Sequence, residues 1–148
     1  MYSEKLHSEL LINAPIDKVF AFLTTPQNIP LVLPGLIDNT NIPELPLKAG
    51  SSFDYRYQMF GVVTEGKTTV DAIEGPHTYN FSTSGGNMSH WYEKLSDEGG
   101  QTRVTVDIEY DPAASWFEKV QLGVVRTFMP QELDRFLQNV RTVMELQS

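Results

Sequence analysis

The chain of 148 residues contains no cysteine. Disulfide bridges, thiolate metal sites and a cysteine nucleophile are therefore excluded. Basic residues are also few, because 11 lysines and arginines stand against 19 acidic residues and give a formal net charge of −8. A surface that follows phosphate groups needs clustered lysines and arginines, so this balance argues against a nucleic-acid partner. It argues equally against polybasic attachment to anionic lipid.

Long apolar runs are missing as well. No stretch approaches the roughly 20 apolar residues of a membrane-spanning helix, so we expect no stable membrane insertion. The first residues, MYSEKLHSE, lack the basic start and apolar stretch of a signal peptide, and the expected location is the cytoplasm. Apolar residues still make up 41% of the chain, which allows a sizeable core. The length predicts one domain over residues 1–148.

Motifs for metals and phosphates are absent. The three histidines are far apart in the sequence and show no HxH or HExxH spacing, which argues against a zinc site. The stretch SGGN at residues 84–87 is typical of a hairpin turn, and no helix follows it, so it is not a phosphate-binding loop. There is no GxSxG nucleophile elbow. We therefore expect no metal and no cofactor.

The first third of the chain combines a strand with two short helices. Alternation with period two predicts a strand over residues 4–12, and Asn13 and Pro15 then signal a helix start. Thr25-Pro26 predicts a second helix, which Pro30 keeps short. Residues 36–42 are expected to form a short strand.

Residues 51–111 have the pattern of consecutive antiparallel hairpins. Runs rich in β-branched and aromatic residues alternate with turn sequences such as EGP, SGGN and DEGG. Within the runs, apolar and polar residues alternate, which is typical of a sheet that is covered on one face.

After Asp111-Pro112 the pattern becomes helical to the end of the chain. Apolar residues at helical spacing predict one stripe, formed by Trp116, Phe117, Val120, Val124, Phe128, Leu133, Phe136, Leu137, Val140 and Met144. Pro130 removes a backbone donor within this stretch, so a kink or break is expected there. The kink has two explanations, a helix that follows a curved sheet or a functional hinge.

Four stretches of the sequence, together with the long final helix, are similar to a known superfamily. They are LLINAPIDKVFAFL, PLKAGSSFDYRY, EGPHTYNFST and GGQTRVTVDIEY. Through them the whole chain resembles the START / Bet v 1-like superfamily, which includes polyketide cyclases and dehydrases and lipid-transfer proteins. The resemblance implies an α+β helix-grip fold, in which a curved antiparallel sheet of about six to seven strands wraps around a long C-terminal helix. It also implies a deep cavity for small apolar molecules, but no shared catalytic motif.

In such a fold the short helices and the proline-rich segment lie at the cavity mouth. Ile29, Leu33 and Leu36, with the neighbouring Leu31 and Val32, are then expected to line an entrance or to plug the open end. Two other readings stay open. The segment could simply cap the barrel end, or its leucines could contact a membrane or a partner.

Glu93 is the candidate for chemistry. Continued alternation points Trp91 and Leu95 inward and puts Glu93 between them on the same face. A carboxyl group in an apolar cavity resists ionisation and can act as a general acid or base, or bind a ligand hydroxyl or amine. A β-bulge in MSHWYEKL would instead turn Glu93 outward and bring His90 and Tyr92 inside.

Aromatic residues dominate the predicted inner faces of the sheet and the helix. Because buried tyrosines need partners for their hydroxyl groups, this set favours a cavity that holds water or a ligand over a fully packed core, which remains the alternative. Ser8 and Thr68 would add polar groups. The expected ligand-binding residues are Tyr55, Tyr57, Tyr79, Phe81, Trp91, Glu93, Val106, Ile108, Phe117, Val120, Val124 and Phe128.

Three functions are compatible with these features. The first is a carrier of a small hydrophobic molecule, either a lipid or an aromatic polyketide-like compound. The second is a metal-independent cyclase or dehydratase in which Glu93 and nearby tyrosines move protons. The third is an interaction module, similar to the coenzyme Q-binding or ribosome-associated members, which predicts an exposed apolar patch on residues 29–36. The oligomeric state and the ligand are left open.

Overall fold

The computed structural model describes residues 4–111 and 122–147. The chain begins with strand β1 (Glu4–Ile12), helix α1 (Ile16–Leu23) and a 3₁₀ helix (Pro26–Leu31). Six further strands follow and lead to a long C-terminal helix. These elements are β2 (Leu36–Thr40), β3 (Ser52–Met59), β4 (Val62–Glu74), β5 (Thr78–Ser84), β6 (Ser89–Glu98), β7 (Gln101–Tyr110) and α2 (Leu122–Leu146).

The seven strands form one antiparallel sheet in the order β1-β7-β6-β5-β4-β3-β2. Strands β2 to β7 are joined in sequence as a meander, whereas β1 pairs with the last strand. The curved sheet and α2, with the short helices after β1, make the expected helix-grip fold. Two irregularities interrupt the register, one in β2 between Leu36 and Asp38 and one in β4 between Val70 and Ala72.

Alternation of apolar and polar residues places one sheet face against α2. On β7, Val104, Val106 and Ile108 are buried, while Thr105 and Asp107 lie on the other face. The face of α2 that meets the sheet contains Val125, Leu133, Phe136, Leu137, Val140 and Met144, all buried. Burial of these side chains from both layers removes apolar surface from water and holds helix and sheet together.

Pro130 does not end the C-terminal helix, since α2 runs without a break from Leu122 to Leu146. The expected break at this residue is therefore wrong. Pro130 is exposed, so the carbonyl that loses its donor lies near the helix surface, where water can satisfy it. Within residues 4–111 and 122–147, no helix combines the length and the apolar character that membrane crossing requires.

The predicted apolar stripe on α2 is wrong at Val124, whereas Phe128 packs partly against the core and Trp116 lies outside the described residues. Val124 is 39% exposed, whereas Val125 is fully buried. An unbroken helix keeps one phase, and stepping back from Leu133 by four residues at a time leads to Met129 and Val125. The sequence-based stripe followed Val124 and Phe128, which lie about 100° around the helix from that face.

Candidate functional site

A cavity of about 110 Å³ lies between the inner face of the sheet, the 3₁₀-helix segment and α2. Since about 10–15 Å³ admits one water molecule, this volume is room for a guest of several heavy atoms. Most of the wall is apolar. Its lining residues are Leu23, Pro26, Ile29, Leu33, Leu36, Asn39, Phe53, Tyr55, Tyr57, Thr68, Tyr79, Phe81, Thr83, Asn87, Ser89, Trp91, Glu93, Ile108, Tyr110, Met129, Glu132, Leu133 and Phe136.

An aromatic row forms one wall of the cavity. The ring centroids of Tyr79 and Phe81 on β5 are 5.0 Å apart. Phe81 and Trp91, directly opposite each other on β5 and β6, stack at 5.3 Å with an interplanar angle of 19°. Trp91 then meets Phe136 of α2 edge to face at 6.0 Å. Helix and sheet therefore touch through these two rings, and the cavity lies beside that contact.

Glu93 lies on this wall, deep inside the protein. It occupies β6 between Trp91 and Leu95 on the inner face, opposite Tyr79 of β5 and Val106 of β7. Its side chain is 2% exposed, and its Oε1 atom has no hydrogen-bond partner among the residues that the structure describes. The register of β6 runs without a bulge from residue 89 to residue 98, so the inward orientation follows from simple alternation.

Burial raises the pKa of Glu93 from its ordinary value of 4.5 to about 8. The cause is the loss of water around the charged form, since no compensating donor is present among the described residues. Burial, and then the negative charge of Glu93, raise the pKa of the Tyr79 hydroxyl. At neutral pH the cavity wall thus holds a carboxylic acid that is mostly uncharged and able to give up its proton near pH 8.

A second buried carboxyl group, Glu132 on α2, is hydrogen-bonded to the protein through its Oε2 atom. This oxygen accepts hydrogen bonds from the backbone N–H of Gly35 at 2.8 Å and from the Tyr57 hydroxyl at 2.7 Å. Burial and the neighbouring Glu132 raise the pKa of Tyr57. A Cβ at Gly35 would lie 2.5 Å from the Tyr57 ring and 2.7 Å from the Glu132 oxygen, so this arrangement needs glycine there. The pair ties α2 to β3 and to the start of β2.

A polar cluster closes another part of the wall near the β5–β6 turn. The Tyr55 hydroxyl donates to Oδ1 of Asn87 and accepts from the Asn87 backbone N–H, both at 3.1 Å. Thr83 donates to the same Oδ1 at 2.9 Å and bonds Ser89. A Cβ at Gly66 would lie 2.5 Å from the Tyr55 hydroxyl, so the bare backbone of β4 makes room for this ring. The polar groups of this cluster find hydrogen-bond partners within it, whereas Oε1 of Glu93 has none among the described residues.

Most of the residues expected from the sequence lie on the cavity wall. Among the expected ligand-binding residues these are Tyr55, Tyr57, Tyr79, Phe81, Trp91, Glu93 and Ile108, and Thr68 joins them. The expected entrance residues Ile29, Leu33 and Leu36 also line the cavity.

Other expected residues lie elsewhere. Val106 is fully buried in the core but does not line the cavity. Phe128 is half-buried and packs against Phe60, with ring centroids 5.0 Å apart, and Val124 is exposed as described above. Ser8 donates a hydrogen bond to Asp134 at 2.7 Å, away from the cavity. Phe117 and Val120 are outside the described residues.

The segment 29–36 is not the exposed apolar patch that an interaction module would need. Leu31 is 71% exposed, but Val32, Leu33 and Leu36 are buried at 9% or less. The carbonyl of Val32 accepts a hydrogen bond from the Asn139 side chain of α2 at 2.9 Å. Most of the hydrophobic surface of this segment therefore covers the interior.

His90 lies on the outer face of β6, as alternation predicts when Glu93 is inside. Its Nδ1 is 2.7 Å from the hydroxyl of Ser82, which itself donates to Asp71. The hydroxyl has a single proton and gives it to Asp71, so it accepts from His90 in the tautomer that carries a proton on Nδ1. None of these three side chains lines the cavity.

Glu132 is the main site residue that the sequence reasoning missed. It lies in PQELDRF, which has the composition of a polar stretch on a helix surface. The correct helix phase predicts that its side chain points inward, because Glu132 is seven residues after the buried Val125 and four before the buried Phe136. The hydrogen bonds that hold it come from Gly35 and Tyr57, nearly 100 and 75 residues away, and no local pattern encodes them.

Solved structures share this fold at low sequence identity. TTHA0849 from Thermus thermophilus superposes with a TM-score of 0.81 at 14% identity, covering 98% of this chain and 99% of that one. The major latex-like protein 151 from Panax ginseng gives 0.69 at 18% identity over 97% and 99%. DynU16, from the dynemicin biosynthetic locus, gives 0.69 at 17% identity over 97% of this chain, which spans about half (48%) of DynU16. These likenesses establish the fold.

At the level of sequence, no curated protein matches the chain. A family model does match. The model described as polyketide cyclase / dehydrase and lipid transport covers residues 3–145, nearly the whole chain. The chain therefore belongs to the polyketide cyclase / dehydrase and lipid transport family.

Proposed function

We propose that the protein binds a small, mostly apolar molecule in the cavity between the sheet and α2. The observation that carries the proposal is Glu93, a buried carboxyl group on an apolar cavity wall with an oxygen that no described residue satisfies. A protein interior normally pairs its buried polar groups, and exceptions are often binding or catalytic sites. A ligand with one polar group would satisfy Glu93 and fill the cavity at once.

The cavity wall has the composition of a small-molecule site. Apolar and aromatic side chains make up most of it, and a few polar groups fix orientation. Covering about 200 Å² of apolar ligand surface would contribute about 5 kcal/mol at about 25 cal/mol per Å². Family membership supports the proposal, since the family is described by polyketide chemistry and lipid transport.

Titration with 1-naphthalenemethanol, a neutral two-ring compound with one hydroxyl group, tests the proposal. Binding is followed by saturation-transfer NMR and calorimetry. The blocking variant is Thr68→Phe, because Thr68 is buried on the cavity wall and a phenyl ring there would take up the cavity volume. The matched control is Thr69→Phe, which changes the same residue type one position along β4, where the side chain lies on the other face.

We expect the wild type and Thr69→Phe to bind the alcohol alike, and Thr68→Phe to bind it at least about tenfold more weakly, since a filled interior leaves no space for a guest. Circular dichroism of each variant verifies the fold. Absence of binding up to about 1 mM in the wild type, or equal binding by Thr68→Phe, would refute the proposal.

The second candidate is an acid–base enzyme of the cyclase or dehydratase kind. Glu93 favours it, because its carboxyl group faces the cavity and its pKa of about 8 lies near neutral pH. Exchange of the α-protons of 2-tetralone in deuterated water, followed by NMR, tests it. Catalysis by Glu93 predicts exchange that rises through pH 8 as the carboxylate forms and that Glu93→Gln abolishes. Equal exchange in both proteins would leave only the binding function.

A further inference from the structure

The charges on the cavity wall point to the chemistry of its ligand. We infer that the ligand carries a protonated amine and that Glu93 is its counter-ion, with the aromatic row beside Glu93 completing the cation site. The inference deepens the proposed binding function and rests on it.

The wall is acidic, and the described residues provide no compensating base. Its two ionisable carboxyl groups are Glu93 and Glu132, and no lysine, arginine or histidine is found among the described lining residues. A ligand with a carboxylate, such as a fatty acid, would bring a third acidic group into a low-dielectric space. No cationic side chain among the described lining residues would compensate its charge. The wall therefore disfavours anions and favours cations.

The two carboxyl groups differ in how far the described residues satisfy them. Glu132 already accepts hydrogen bonds from Gly35 and Tyr57. Oε1 of Glu93 is buried and has no partner among the described residues. An ammonium group supplies up to three donors and a positive charge, which together offset the burial of a carboxylate better than one neutral hydroxyl group.

The surroundings of Glu93 suit a cation as well. Trp91 lies two residues before it on the same inner face, and Tyr79 lies directly across on β5. Phe81 stacks on Trp91 and contacts Tyr79. Rings attract a cation through their negative faces, and aromatic rings combined with a carboxylate are an effective receptor for amines. The same rings pack against the apolar part of the molecule.

Binding an ammonium group must release a proton. With a pKa of about 8, Glu93 is about nine-tenths protonated at pH 7, and it has to ionise to pair with the cation. Among the described residues, the other titratable groups on the wall are Tyr55, Tyr57, Tyr79, Tyr110 and Glu132. Helix α1, which packs on β6, adds Asp17 and Lys18, both exposed. Glu93, with its pKa of about 8, is the group that we expect to give up this proton at pH 7.

The experiment compares three compounds that share one ring system: 1-naphthylmethylamine, 1-naphthalenemethanol and 1-naphthoate. Each is titrated calorimetrically at pH 7 in two buffers of different ionisation enthalpy, which gives the affinity and the number of protons released. The proteins are the wild type, Glu93→Gln and the control Glu65→Gln. Glu65 is an exposed residue of β4, so its substitution makes the same chemical change without touching the cavity.

We expect the wild type and Glu65→Gln to bind the amine at least about tenfold more tightly than the alcohol, and 1-naphthoate most weakly, because a desolvated charge pair adds to the shared ring contacts. Amine binding should release about 0.9 proton, and alcohol binding none. In Glu93→Gln the preference for the amine and the proton release should both disappear. Glu93→Leu, a residue of similar size, serves if the amide variant does not fold.

Two results would overturn the inference. Equal affinities for amine and alcohol without proton release would refute it and leave the proposed binding function standing. A preference for the amine that survives in both Glu93→Gln and Glu93→Leu would refute the role of Glu93. If none of the three compounds binds the wild type, the proposed function itself fails and the inference falls with it.

Discussion

Replacing Glu93 by glutamine should change the way in which stability depends on pH. In the folded protein, burial raises the pKa of this carboxyl group from 4.5 to about 8. Between these two values the unfolded chain has lost the proton while the folded protein keeps it. The folded state therefore binds more protons, and the free energy of unfolding falls as pH rises. The contribution of Glu93 is fully present below pH 4.5 and is lost as pH rises through about 8.

The size of the effect follows from the shift. One pKa unit corresponds to 1.36 kcal/mol, so a shift of about 3.5 units sets an upper limit of about 5 kcal/mol. As the pH rises from 5 to 7, the contribution of Glu93 should lower the free energy of unfolding by about 2 kcal/mol. His7 also contributes in this range with the same sign, because its hydrogen bond to Asp107 raises its pKa. It is unchanged in the variant, so its contribution cancels in the difference.

Urea unfolding followed by circular dichroism at pH 5, 6, 7 and 8 measures the difference in stability between the wild type and Glu93→Gln. The variant should gain on the wild type by about 2 kcal/mol from pH 5 to pH 7. The control Glu65→Gln should show no such trend, because Glu65 is exposed on the outer face of the sheet. A difference that stays constant within about 0.5 kcal/mol would show that Glu93 is not held in a dry site.

Two further substitutions, each paired with a control, test a close approach to the backbone and a buried hydrogen bond. Gly35→Ala would place a methyl group 2.5 Å from the Tyr57 ring and should destabilise the protein by about 1–3 kcal/mol. At the control position, Gly123→Ala, an added Cβ meets nothing within 4 Å, and this change should stabilise α2 by up to about 1 kcal/mol. Equal melting temperatures of the two variants would contradict this prediction. Thr102→Val removes a buried donor that bonds a backbone carbonyl near α1 at 2.7 Å and should cost about 1–2 kcal/mol. The same change at Thr105, on the outer face of β7, should stay within about 0.5 kcal/mol in urea unfolding, and a similar loss at both positions would argue against the buried hydrogen bond.

The strands and their faces were readable from the sequence because alternation is a local property. Period-two patterns in β3, β5 and β7 predicted the inner aromatic residues, and continued alternation predicted the inward side of Glu93. A bulge in β6 would have reversed that prediction, and the sequence did not settle it. The bulges occur instead in β2 and β4, where pairing with neighbouring strands decides their position.

The buried face of the helix was harder to predict, because the single predicted stripe joined Val124 and Phe128 to Leu133 across Pro130, and these residues do not share one helix phase. The helix continues through Pro130, and a single phase then turns Glu132 inward and Val124 outward. The partners of Glu132 come from the loop before β2 and from β3. Side-chain pairs of this kind depend on the tertiary arrangement of three elements, which local periodicity does not contain.

The pairing of β1 with β7 has a consequence for how the protein is made. Leu10 faces Val104, so the strand synthesised first finds its neighbour only after more than 90 further residues have left the ribosome. Until then its apolar side chains have no partner in the sheet, and closing so long a loop delays the pairing of β1 with β7. While the intervening residues are synthesised, the apolar side chains of β1 are therefore open to chaperones and to aggregation.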